Sequence, residues 1–203
     1  MKIYPDIIQG SQEWFDIRLG MVTGSRFGIA KSKKGVAGRK KYLYDLANER
    51  RNGKPTESYS NAVMQRGIEI EPEGRDHYEK INGLTVNQVG FIEYNEYIGV
   101  SPDGLVGDDG AIEIKAPNTT THLETIALNR FDPKYKPQVQ GLLWVTGRKW
   151  VDCISYDPRD KQVFWCRRAY RDQPYIDEMQ ISIYVFVEEL KELMKKLTPD
   201  CPF

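Results

Sequence analysis

With 203 residues, 40% of them apolar and 29% charged, the chain is long enough to bury a core as a single domain over 1–203, and its composition excludes a disordered protein. Its 29 basic residues balance 29 acidic ones, which argues against a generally basic nucleic-acid binder, yet residues 31–41 hold six basic residues and no acid while residues 69–79 hold five acids. Three scattered cysteines exclude a disulfide framework or four-thiolate cluster, and neither a membrane-length apolar run nor a signal-peptide core is seen, so a cytoplasmic location is expected.

In chain order, SQEWFDIRLG reads as a short helix with Ser11 as N-cap, Trp14, Ile17 and Leu19 on its apolar side, and Gly20 as its stop. A second helical stretch begins after Thr23 and fades in the Lys/Gly-rich residues 31–38, which read as a loop. Residues 39–51 and 58–81 read as helices, the latter with a kink or break expected at Gly67 and Pro72. TVNQVGFIEY, YIGV and AIEIKA then show β-branched alternation bounded by Gly and Asn, an antiparallel meander. Helices are expected over 119–129 and from Pro137 to Gly147. KWVDCISYD and QVFWCRRAY read as a hairpin about Pro158-Arg159-Asp160. Residues 173–197 place Ile176, Met179, Ile183, Phe186, Leu190, Leu193 and Leu197 along one side of a long helix. Trp14, Trp144, Trp150 and Trp165 read as core, and His77 and His122 as structural or surface groups. The order predicts an α/β fold with a mixed central β-sheet flanked by helices.

Residues 99–117, GVSPDGLVGDDGAIEIKAP, set Asp103 in a Ser-Pro-Asp-Gly turn ahead of a Glu-Ile-Lys strand. Residues two apart in a strand share a face, so Glu113 and Lys115 project together while Ile114 turns to the apolar side. A hairpin-like return brings Asp103 near Glu113. Two converging carboxylates are hard oxygen ligands of the kind Mg²⁺ or Mn²⁺ takes. A neighbouring ammonium can orient an attacking water and stabilise charge on a phosphoryl oxygen, which is the chemistry of metal-assisted phosphodiester hydrolysis. The same residues also fit a plain Pro-Asp-Gly turn followed by the polar face of an edge strand.

The Asp, then Glu-x-Lys pattern resembles the PD-(D/E)xK core of restriction-endonuclease-like nucleases. Taken with WFDIRLGMVTGSR, RGIEIEPEGRDHYE, SPDGL and KPQVQGLLWVTGRKWVDCISYDPR, in that order over most of the chain, it resembles the lambda exonuclease (YqaJ-like) family of phage recombination nucleases. The resemblance implies that Asp103, Glu113 and the backbone carbonyl of Ile114 bind catalytic Mg²⁺, two ions with Mn²⁺ able to substitute. It places Lys115 beside the nucleophilic water and gives Glu71 to the second ion, with Glu69 and Glu73 near enough to leave that register open. Gln138 and Gln140 match a Q-x-Q element. Residues i and i+2 do not share a helix face, so at most one of them, taken as Gln138, reaches the site.

Arg18 and Ser25 match the receivers of a 5′-terminal phosphate, a task suited to an arginine fork and to a hydroxyl near a helix start. On their own they read rather as a surface charge and a helix cap. The basic run, with Lys33, Lys34 and Arg39, would grip duplex DNA or be a solvated loop. Met64 would wedge the duplex end or pack as core. No basic residue lies between Lys115 and Arg130, a departure that leaves any DNA contact there to be supplied from elsewhere.

The implied activity is a Mg²⁺-dependent exonuclease that digests one strand of linear double-stranded DNA 5′ to 3′, releasing mononucleotides and leaving 3′ single-stranded DNA. The family implies a homotrimer working with a single-strand annealing protein and no membrane. The alternatives are an endonuclease of restriction or repair type with the same core, which would cut closed circles, and a catalytically silent DNA-binding subunit.

Overall fold

The computed structural model describes residues 1–56 and 62–197, without the side chains of 62–65 and 68. In chain order the elements begin with β1 (Lys2–Tyr4), α1 (Gln12–Ile17), β2 (Val22–Thr23), α2 (Phe27–Ala30), α3 (Ala37–Asn52) and α4 (Ala62–Asn82). Five strands follow: β3 (Val86–Asn87), β4 (Phe91–Asn95), β5 (Ile98–Val100), β6 (Gly104–Val106) and β7 (Gly110–Lys115). The chain continues through α5 (Thr119–Ala127), α6 (Lys136–Thr146), β8 (Trp150–Tyr156), β9 (Phe164–Tyr170) and α7 (Gln173–Leu197). Short 3-10 turns, Gly24–Arg26 and Pro133–Tyr135, lead into α2 and α6.

The strands form two mixed sheets, ordered β1-β4-β5-β2 and β3-β6-β7-β8-β9. The parallel pairs are β2 with β5 and β7 with β8; the other neighbours are antiparallel. The expected single meander is therefore divided. β4 and β5 pair with each other in one sheet, whereas β6 and β7 pair in the other. The division falls at Ser101-Pro102-Asp103: Pro102 has no N–H for a ladder, and the Asp103 carboxylate caps the N–H of Ile114 at 2.7 Å.

Of the kink or break expected in the second long helix, the break is corrected, since α4 runs through both Gly67 and Pro72. An internal proline costs a helix about 3 kcal/mol. Anchors on both sides of it offset that cost: Arg66 donates to the carbonyls of Ala116 and Pro117 and to Asp157, while Tyr78 donates to Asp152 at 2.7 Å. Gly74 lets α4 lie close on the sheet, because a Cβ there would sit 3.2 Å from Ile114.

β7 is the central strand, and its alternation sorts two cores. Ile112 and Ile114 pack with Tyr78, Ile154 and Tyr156 beneath α4. Ala111 faces the larger cluster built from α2, α3, α6 and the buried stripe Ile176, Met179, Ile183, Phe186 and Leu190 of α7. Trp144 and Trp165 are buried as expected, but Trp14 and Trp150 are only half-buried, and the Trp14 indole N–H donates to Gly90 and Ser101. His122 is fully buried between the Ser155 hydroxyl and the Gln162 carbonyl, and His77 lies against Tyr156 and Phe164, so both are structural. Cys153 and Cys166 carry free thiols. Among the described residues no helix is long and apolar enough to cross a membrane.

Candidate active site

The β6–β7 register sets Gly104 opposite Ile112, which brings Asp103 alongside Glu113. Glu113 is 1% exposed, and two donors hold its Oε1: Lys115 Nζ at 2.5 Å and the Gln138 side-chain amide at 2.6 Å. Gln138 reaches it because α6 crosses the face of β7 that carries Glu113 and Lys115. Gln140 points away, donating to the Tyr170 carbonyl and accepting from the Asp172 N–H. The third carboxylate, Glu71, comes from α4.

The charges at the end of β7 do not neutralise each other. Burial and then the charge of Asp103 push the Glu71 carboxyl up to about 8 and that of Glu113 up to about 7. Burial raises Asp103 as well, against the opposing pull of Lys115. For Lys115 burial acts to lower the pKa, but the Glu113 and Asp103 carboxylates outweigh it and hold the ammonium charged. The acidic oxygens of Asp103 and Glu113 and the Ile114 carbonyl are hard donors. Among the described residues, however, no three Asp, Glu, His or Cys side chains are arranged to hold a metal ion by themselves. Glu71 is drawn to Arg75 at 2.6 Å, and Glu113 to Lys115 and Gln138.

Two participants were not singled out from the sequence. Arg75 is buried and bridges Glu71 to the Asp103 carbonyl, donating to the latter at 3.2 Å. Its i,i+4 spacing from Glu71 was a usable signal. Tyr135, on the turn before α6, puts its ring 5.2 Å from Lys115 Nζ. That contact joins segments far apart in sequence, and no local pattern announces it.

A cleft beside this cluster is lined by Arg18, Thr23, Gly24, Ser25, Val100, Ser101, Glu113, Gln138 and Leu142. Arg18 ends α1, whose N-cap Ser11 accepts from Trp14, and its guanidinium lies 3.5 Å from the Trp14 ring centroid. Its Nε is buried without a hydrogen-bond partner among the described residues, and burial lowers the pKa of the group to about 10. A buried guanidinium with an unused donor invites an anion. Ser25 enters from the 3-10 turn before α2 and is exposed.

The expected duplex grip is corrected at Arg39. This side chain is buried, donates to Glu189 at 2.7 Å and to the Ala30 carbonyl, and so ties α3 to α7 rather than facing solvent. Buried and held by Glu189 and the Ala30 carbonyl, this guanidinium lies away from the solvent in which a duplex would be gripped. Lys33 and Lys34 are exposed, and Lys34 makes a loose 3.7 Å pair with Glu189. The Met64 side chain lies outside the described residues.

The profile of the YqaJ-like viral recombinase domain matches residues 13–149. An alkaline exonuclease (LHK-Exo) from Laribacter hongkongensis is 40% identical, with a TM-score of 0.86 over 92% of this chain and 96% of that one. The same enzyme in complex with dAMP matches at 41% identity with the same TM-score. A phage-related exonuclease from Haemophilus somnus shares the fold at 14% identity, with a TM-score of 0.69 over 88% of this chain and 96% of that one. No curated protein matches. The profile covers Arg18, Ser25, Glu71, Asp103, Glu113, Lys115 and Gln138 alike, and on that coverage the chain belongs to the YqaJ-like viral recombinase family.

Proposed function

We propose that the chain is a DNA exonuclease that hydrolyses one strand of linear duplex DNA from its 5′ end, releasing mononucleotides and leaving a 3′ single strand. The observation that carries this reading is the shared cleft: Arg18, whose buried Nε has no hydrogen-bond partner among the described residues, and Ser25 line the same cavity as Glu113 and Gln138. A terminal phosphate held by Arg18 would set the first phosphodiester beside the carboxylate cluster. The exonuclease activity of the Laribacter relative and its complex with dAMP, a deoxynucleoside monophosphate, support the reading.

The donor set fits a hard divalent cation, because among the described residues three clustered carboxylates, Glu113 buried and Asp103 and Glu71 half-buried, face two cations, Lys115 and Arg75, and hold their protons unusually high. Asp103, Glu113 and the Ile114 carbonyl would hold Mg²⁺, with Mn²⁺ as a substitute, and Glu71 would serve a second ion on leaving Arg75. The cation would supply charge stabilisation at the phosphoryl group and an acidified water. The chain's own groups do the rest. Gln138 fixes the Glu113 rotamer, Lys115 presents an ammonium to the attacking water and the phosphoryl oxygen, and Arg18 and Ser25 bind and orient the end. A homotrimer around the DNA, acting with a single-strand annealing protein, completes the proposal; enclosure would retain DNA on a chain with no net charge.

The test is a Mg²⁺ time course on linear duplex with 5′-phosphate, the same duplex with 5′-hydroxyl, and a covalently closed circle. Fast loss of the first, slower loss of the second and an intact circle are expected. Nicking of the circle would make the protein an endonuclease. No cleavage in Mg²⁺ or Mn²⁺ would return the Glu-Ile-Lys strand to a structural role.

A further inference from the structure

Tyr175, on the first turn of α7, gathers two ammonium groups on one ring: Lys31 Nζ lies 4.2 Å from its centroid and Lys136 Nζ 4.3 Å. Lys31 also donates to the Tyr175 hydroxyl at 3.1 Å. Only one carboxylate answers the pair. Asp172 binds Lys136 at 2.9 Å and caps the N–H of Tyr175, while among the described residues Lys31 has no ion-pair partner. Each contact is a cation–π attraction that brings an ammonium to the ring, while the two like charges gathered there repel each other. An anion within reach of both would offset that repulsion.

The position of the pair names the anion. Lys31 follows α2, which starts just after Ser25, and Lys136 opens α6 two residues before Gln138. Ser25 and Gln138 both line the cleft. α2 and α6 lie against each other, since a Cβ on Gly28 would sit 3.4 Å from Pro137. Two segments that line the cleft therefore run together to the ring. We infer that Lys31, Lys136 and the face of Tyr175 form a phosphodiester-binding platform that holds the DNA backbone next to the cleft. This rests on the exonuclease reading. The sequence separates its three residues, and only the packing of α7 across the α2–α6 seam unites them.

The experiment measures binding of a short 5′-phosphorylated duplex in EDTA, by anisotropy, for the intact chain and for a Lys31→Gln/Lys136→Gln double variant. Each phosphate contact contributes about 0.9 to the slope of log affinity against log salt, so the variant is expected to lose about 1.8 of slope. Raising salt from about 50 to about 200 mM would then weaken the variant by about ten-fold less than the parent chain. A Lys149→Gln/Lys195→Gln control removes two exposed, ion-paired lysines elsewhere and is expected to keep the parent slope. An unchanged slope in the platform variant, or an equal loss in the control, would overturn the platform and leave the exonuclease reading standing. A parent chain that neither binds nor degrades linear DNA would instead remove that reading. Thermal melts confirm that each variant is folded.

Discussion

At the residue scale, the proposed function gives Lys115 and Arg18 different work, and their variants separate it. Lys115 is the ammonium nearest the buried Glu113, and its pKa is held up by Glu113 and Asp103 against burial, so it stays charged across the working range. Lys115→Gln keeps a polar group of similar length but removes charge from the reacting phosphate. Cleavage is expected to slow by about 10²- to 10³-fold in single-turnover assays while DNA affinity changes little. Arg18→Gln should leave internal chemistry in place but cost the end its receiver. Charge-assisted hydrogen bonds are worth about 1.5–3 kcal/mol, so the preference for a 5′-phosphate over a 5′-hydroxyl is expected to fall by at least about ten-fold. An unchanged preference would mean that the Arg18 guanidinium serves Trp14 and the fold rather than the substrate.

At the element scale, the site depends on how closely α2, α4 and α6 approach the sheets. A Cβ on Gly141 would fall 2.1 Å from the Phe27 ring, so α6 and α2 touch only because that side chain is absent. Gly141→Ala must push α2 from α6, separating Ser25 from Gln138. Overpacking of this kind costs about 1–3 kcal/mol, and both the melting temperature and the end-directed activity are expected to drop together. A variant with the parent's melting temperature would show that the seam yields freely.

The second tie is Asp157, fully buried, which accepts from Arg159, Thr119 and Arg66 and so fastens α4 to the loop after β7. Hydrogen bonds from Arg159 and Thr119, working against burial, hold this carboxyl well below its ordinary value. Its folded pKa is depressed, so its stabilisation is present above the unfolded value near 3.8 and is lost as pH falls below that. Arg66 and Arg159 are partly exposed, which screens the pair, so Asp157→Asn is expected to cost about 2 kcal/mol, or about 6 °C. The deficit should be full at neutral pH and shrink in melts run below pH 3.8. Arg66 and Arg159 both reach the Pro117 carbonyl from other parts of the chain, which makes them structural ties of this loop.

At the scale of the whole molecule, a chain with no net charge has to hold a polyanion by arrangement rather than by total charge. Enclosure by three copies is one such arrangement, and light scattering at micromolar concentration is expected to give three times the monomer mass. A monomer under those conditions would leave retention to the charge distribution alone and predict distributive digestion, seen as uniform shortening of all substrate molecules.

Most elements were legible because their signals are local. The Ser11 cap, Gly147 in the left-handed conformation after α6, the apolar stripe of α7 and the β8–β9 hairpin about Pro158-Arg159-Asp160 each declare themselves within a few residues. The β7 face was equally legible, since a period of two dictates that Glu113 and Lys115 leave Ile114 behind. What failed was non-local. Pro72 reads as a helix breaker until Arg66 and Tyr78 are seen to anchor α4 on both sides of it. Arg39 reads as a solvent-facing grip until Glu189 arrives from a helix 150 residues away to bury it. By itself, then, the sequence determined the order of the main helices and longer strands, without the short strands β1, β2 and β6, together with the carboxylate and ammonium on one strand face, and the family. The tertiary structure alone decided the split into two sheets, the meeting of Arg18 and Ser25 with Glu113 in one cleft, and the gathering of Lys31 and Lys136 on Tyr175. Period and capping are written in neighbouring residues, whereas burial and charge pairing depend on which distant segments pack together.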